Sequence, residues 1–191
     1  MPWRITCYSG HRVIDGVLAI AGRENLQPAQ VRRVRVTIGP AQASMLRNHS
    51  PQTGLEAKFS IEFAVASALV AGQVGLAQLN DSFVAKGDVR GLIGKVAVDI
   101  TERPCPIDPA FSYADRVKIE LVDGRSFDSG DIRFAHGNAK LPLDAAGLRQ
   151  KFMDCIAAGA SSADAQPDWG VGLYERIAQL QTLPSLRQLF T

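Results

Sequence analysis

His49-Ser50-Pro51-Gln52-Thr53-Gly54-Leu55-Glu56-Ala57-Lys58-Phe59-Ser60 runs directly into Ile61-Glu62-Phe63-Ala64-Val65-Ala66. Pro51 and Gly54 mark the first part as a turn-rich loop. Beyond it, Phe59, Ile61, Phe63, Val65, Leu69 and Val70 leave no continuous polar face on a helix. A helix of that kind is buried on every side, so other elements must surround it. Lys58 is expected in the first turn of this helix. Backbone N–H groups there lack intrahelical partners, and the helix dipole disfavours a cation. Two readings stay open: an anion arrives at this end, or Lys58 snorkels to water or pairs with Glu62 four residues on.

Working outward, Ser9-Gly10-His11 opens a second helix with Val13, Ile14, Val17, Leu18 and Ala21 at helical spacing. Ser9 is the expected N-cap and Gly22 the expected stop. Val34, Val36 and Ile38 alternate with Arg33, Arg35 and Thr37, the pattern of a half-buried strand. Val96, Val98 and Ile100 repeat the pattern. Val117, Ile119 and Leu121 do so again before Asp123-Gly124, which predicts a hairpin with a type I′ turn. The stretch from Pro104 to Pro109 reads as a surface loop. Asp144 is an N-cap for a helix carrying Leu148, Phe152 and Ile156. An Ala/Ser-rich connection follows from Gly159 to Asp168, and Leu173, Ile177 and Leu180 mark a last helix. The sum predicts an α+β fold, a small antiparallel sheet of about four strands packed with about four helices, without the regular βαβ repeat of a doubly wound sheet.

The chain has 191 residues, 46% hydrophobic and 21% charged, ordinary values for a globular protein. Its 21 Lys+Arg against 19 Asp+Glu leave +2, which gives no footprint for a nucleic-acid partner. Cys7, Cys105 and Cys155 are far apart and form no CxxC pair, so neither a zinc site nor a disulfide framework is expected. That usage fits a reducing, cytoplasmic setting. Met1-Pro2-Trp3-Arg4 lacks a signal-peptide layout, and the longest apolar run is too short to span a bilayer; no membrane partner is expected.

No Walker loop, GxGxxG after a strand, HExxH or GxSxG occurs. His11, His49 and His136 are widely separated, and no metal or cofactor is expected. His11 falls in the first turn of its helix, where the dipole favours the neutral imidazole. A neutral imidazole is the state a general base needs; the alternative is a histidine bonded to a nearby carbonyl with a structural role only. Cys7 has no base beside it in sequence.

Several stretches together resemble the MmgE/PrpD family, which includes 2-methylcitrate dehydratase, cis-aconitate decarboxylase and iminodisuccinate epimerase. The resemblance rests on Cys7-Tyr8-Ser9-Gly10-His11 with Ile14-Asp15-Gly16, and on Thr53-Gly54-Leu55-Glu56-Ala57-Lys58-Phe59-Ser60. It continues through Val117 to Arg125 and Gly137-Asn138-Ala139-Lys140-Leu141-Pro142-Leu143, ending at Lys151-Phe152. It implies the smaller, C-terminal α+β domain over residues 1–158, with residues 159–191 as a connection and helices packing on it. The all-helical N-terminal domain of the family is expected to be missing from this sequence. What the resemblance further implies is a cofactor-independent hydro-lyase or epimerase for small di- or tricarboxylates, inactive alone because half of the cleft is absent. His11 matches the family histidine and would transfer a proton; Lys58 matches the lysine of the Ala-Lys-Phe-Ser block and would bind substrate carboxylates. Where the family has a lysine near the first motif, this chain has Pro2-Trp3-Arg4, so Arg4 is the remaining candidate cation. The alternative is a non-catalytic assembly module that keeps the fold and lost the chemistry. Either way, self-association through apolar patches is expected.

Overall fold

The computed structural model describes residues 6–159 and 167–189. In chain order it contains α1 (His11–Glu24), β1 (Val31–Ile38), α2 (Pro40–Met45), α3 (Gly54–Ala57), α4 (Ile61–Ala71), α5 (Asp81–Val84), α6 (Gly87–Ile93), β2 (Val96–Ile100), β3 (Arg116–Leu121), β4 (Ser126–Asp128), α7 (Ala145–Gly159) and α8 (Pro167–Ala178). Two compact units divide between Pro142 and Leu143. Arg4 and most of the Ala/Ser-rich connection lie outside the described residues.

The first unit is built on one four-stranded sheet in the order β2-β1-β3-β4. Alternation sets its two faces: Val34, Val36 and Ile38 of β1 and Val117, Ile119 and Leu121 of β3 are fully buried, while Arg33 and Lys118 point to solvent. The fold is α+β with four strands, as the pattern implies. One pairing departs from the antiparallel expectation. β1 and β2 run parallel, Val34 opposite Val96 and Ile38 opposite Ile100, whereas β1–β3 and β3–β4 are antiparallel. Parallel neighbours need a long crossover, and α2 through α6 supply it between Ile38 and Val96.

α1 and α4 cover the buried face. α1 contributes Val13, Ile14, Val17 and Ile20, and lies so close to β3 that a Cβ on Gly16 would come within 3.0 Å of Val117 Cγ2 and 2.5 Å of Ile132 Cδ1. α4 is buried over Ile61–Leu69; Phe63 meets the Phe83 ring edge-on at 6.1 Å. Apolar burial of this extent supplies the main driving force for the unit.

Four local expectations change. Gly10, not Ser9, is the N-cap of α1, and the Ser9 hydroxyl turns to Met45 Sδ at 3.4 Å. α1 runs past Gly22 and stops at Asn25, whose φ of 50° puts it in the left-handed region; Asn tolerates that region because its short amide bonds locally. The hairpin has a three-residue loop rather than a type I′ turn. Leu121 N–H donates to Arg125 O at 2.9 Å, Gly124 alone takes positive φ (90°), and Asp123 accepts the Arg125 N–H at 3.0 Å. Lys58 does not begin α4 but caps the C-terminal end of α3. Ser60 starts α4, its hydroxyl accepting the Phe63 N–H at 3.2 Å.

The second unit is helical. Gly170 of α8 sits against α7, where a Cβ would lie 2.9 Å from Ile156 Cγ2, and the Phe152 and Tyr174 rings stand 5.4 Å apart. α7 has no buried residue, and Leu173 is the buried apolar side chain of α8.

Candidate active site

The histidine motif folds into a single 3₁₀ turn, Tyr8–Gly10, that feeds straight into α1. Gly10 occupies the N-cap and offers no side chain to the helix, whose first N–H, that of His11, donates to Tyr8 O of the preceding turn. A larger residue has little room there, since a Cβ would come 3.1 Å from Ile61 Cδ1 of α4. His11 is the first helical residue. Its Nε2 lies 3.1 Å from Thr6 O; a carbonyl only accepts, so Nε2 donates its proton to it. Thr6 is 8% exposed, and its hydroxyl oxygen is buried without a hydrogen-bond partner, an arrangement that costs about 1–3 kcal/mol unless a bound group or water answers it.

The second motif reaches this turn through the backbone. Cys7 N–H donates to Lys58 O at 3.0 Å, so the chain around His11 and the α3 turn are tied together although they are far apart in sequence. The α3 turn is itself rigid. Thr53 Oγ1 accepts the Glu56 N–H at 3.2 Å, and Gly54 N–H donates to Asp81 Oδ1 at 2.8 Å. Gly54 admits no side chain, because a Cβ would lie 2.6 Å from Leu79 O. Lys58 is exposed and pairs with no carboxylate among the described residues. Glu62, the alternative partner, instead accepts a 2.7 Å hydrogen bond from His49 Nδ1 and one of 3.2 Å from Ser60 Oγ.

A buried polar knot lies next to His11. Arg12 Nη1 donates to Ser112 O at 3.0 Å and stands 3.5 Å from Asp115. Gln42 Nε2 donates to both Asp115 oxygens at 3.1 and 2.9 Å, while its Oε1 accepts from Ser112 and Gly39. Burial pushes the Asp115 carboxyl up from the usual range, opposed by the Ser112 hydroxyl, the Arg12 charge and the Gln42 amide. The knot fixes the loop that carries Phe111, over which the Arg12 guanidinium lies at 5.5 Å.

The loop after Ala135 reaches the same turn. Asp15, one helical turn beyond His11, accepts the His136 backbone N–H at 2.8 Å, with His136 Nδ1 3.5 Å from the other carboxylate oxygen. Asn138 Nδ2 donates to Tyr8 Oη at 2.9 Å. Tyr8, Asn138, Asp15 and the Arg12 knot were not singled out from sequence. Tyr8, Asp15 and Asn138 do lie inside the quoted motifs, which was the available signal. Among the described residues no three His, Cys, Asp or Glu gather to hold a metal. A hollow of about 500 Å³ lies elsewhere, lined by Arg32, Arg33, Lys95, Ala97 and Glu120.

Fold and turn geometry together define an α+β domain whose polar surface is assembled from two loop motifs around a helix N-terminus. The MmgE/PrpD C-terminal domain family matches residues 6–169, and the chain belongs to that family. No curated protein sequence matches it. No described helix is long and apolar enough to cross a membrane.

Proposed function

We propose that this domain supplies half of the cleft of a lyase or isomerase acting on small di- or tricarboxylates, of the 2-methylcitrate dehydratase type. The other half belongs to an all-helical domain, without which the chain is inactive. The observation that carries the reading is the Cys7–Lys58 backbone bond, which joins two of the motifs on which the resemblance to the family matching residues 6–169 rests.

Removing a proton from carbon beside a carboxylate concentrates negative charge, and fixed cations and helix N-termini stabilise such charge best in a water-poor site. His11 serves as the proton-transfer group. Lys58, with Arg4, binds substrate carboxylates. The reaction needs no cofactor in this reading, and the three free cysteines suit a cytoplasmic setting. The test is to co-express the chain with a helical domain of the family and follow loss of water from 2-methylcitrate. Activity that requires the pair and disappears in His11→Ala supports the reading; activity that survives His11→Ala overturns the role of the histidine.

A second reading, a non-catalytic module that self-associates, draws on the exposed apolar side chains Leu148, Trp169, Ile177, Leu180 and Leu186 of the second unit. A strictly monomeric species by light scattering at high concentration removes it.

A further inference from the structure

Tyr8 is placed more tightly than an exposed tyrosine requires. It is 45% exposed, yet its ring stands edge-on to His11 at 5.3 Å and to Phe111 at 5.8 Å. Its hydroxyl receives the Asn138 amide N–H at 2.9 Å. The orientation of that amide is fixed by its other end, because Asn138 Oδ1 accepts the Lys140 N–H at 2.9 Å, leaving the nitrogen to face Tyr8. The loop bearing Asn138 is closed on itself, Gly137 N–H to Leu141 O and Leu141 N–H to Asn138 O, each 2.8 Å. Asp15 then fastens it to α1 through the His136 N–H.

A phenol has one proton to give and lone pairs to receive. Here the oxygen is already receiving, so the proton is directed to something else, and among the described residues no acceptor takes it. Accepting an N–H also polarises the O–H and makes it a stronger donor.

We propose that Tyr8 is a specificity-determining residue, donating its O–H to a carboxylate oxygen of the small polycarboxylate whose reacting carbon faces His11, with Asp15 and Asn138 as the positioning residues that aim it. This rests on the substrate class proposed above. No bond is made or broken at Tyr8; it selects for an acceptor at one distance from the histidine.

The test uses citrate as the probe, titrated into the full chain while the backbone amide resonances of Gly10 and His11 are followed. Citrate is expected to move both, and Tyr8→Phe to raise its Kd about tenfold or more, the usual size for a lost hydrogen bond to a charged group. Replacing Tyr8 by 3-fluorotyrosine, a more acidic phenol of nearly the same shape, is expected to lower the Kd, a response that a purely structural ring would not give. An unchanged Kd in Tyr8→Phe, a fluorotyrosine variant that binds no better, or amides that citrate does not move each overturn the proposal. The polycarboxylate reading is tested apart from it, by the dependence of the co-expressed activity on His11.

Discussion

α1 and α4 lie side by side under the same sheet, yet their N-termini are treated in opposite ways. At α4, Ser60 caps the free N–H groups and Glu62 is answered by His49 and Ser60, so that end is closed by the chain's own side chains. At α1 the cap is a glycine with no side-chain hydrogen bond, the first N–H is answered by the Tyr8 backbone carbonyl, a buried Thr6 hydroxyl goes unanswered, and a histidine and a tyrosine stand beside it. Helix N-termini concentrate positive potential; one is closed by a side chain, the other only by the backbone of the turn that precedes it. α4 is the support; α1 carries the end at which the proposed chemistry falls.

The sharpest way to break this division is to remove the group to which the proposed function assigns proton transfer. His11→Ala in the chain paired with a helical domain is expected to lower dehydration of 2-methylcitrate by about 10²–10⁴, the usual worth of a general acid or base, with no loss of folding measured by circular dichroism. Next comes the support. Phe63→Ala is expected to cost about 3–5 kcal/mol in urea unfolding, from lost transfer energy and the cavity left behind. Ser60→Ala opens the closed end and should cost about 1 kcal/mol, less if Glu62 turns to take the freed N–H.

Asp115 offers a slope rather than a step. Its folded pKa is raised by burial, so the native state holds that proton more tightly than the unfolded chain. The resulting stabilisation is fully present below the unfolded carboxylate value and is lost as pH rises through the folded one. The stability difference between the unaltered chain and Asp115→Asn should therefore grow in favour of the unaltered chain as pH falls from 7 toward about 4, read from urea midpoints. Smallest is Arg35→Ala, which removes a half-exposed pair with Asp99 at 3.0 Å and should cost at most about 1 kcal/mol. A larger loss there would mean that the outer face of the sheet matters as much as its core.

Much of the support was legible in the sequence, because burial writes itself as period. The alternation from Val34 in β1 and from Val117 in β3 marked buried side chains, and the lack of a polar face on α4 announced its depth; in β2 the same pattern did not translate into burial, and Ile100 is exposed. Strand direction was not legible: alternation is the same in parallel and antiparallel pairs, and the crossover through α2 to α6 decides it. The turn after Leu121 was misread because Asp123-Gly124 serves several hairpin loops, and side-chain bonding between Asp123 and Arg125 selects among them. The reactive end was legible only in part. His11 and Lys58 stood out by motif, but Tyr8 and Asn138 meet across 130 positions, and no local pattern encodes a partnership of that span. Lys58 was placed one element too late because Phe59 and Ser60, apolar and small, read equally well as the start of a helix or as the bend before it.

The bond from Cys7 N–H to Lys58 O also makes a gauge. A main-chain proton held in that way exchanges with deuterium only when the two motifs part, so the decay of one amide signal clocks how often the reactive end comes apart. That clock runs without substrate, partner domain or turnover, and it can be read in every variant named above.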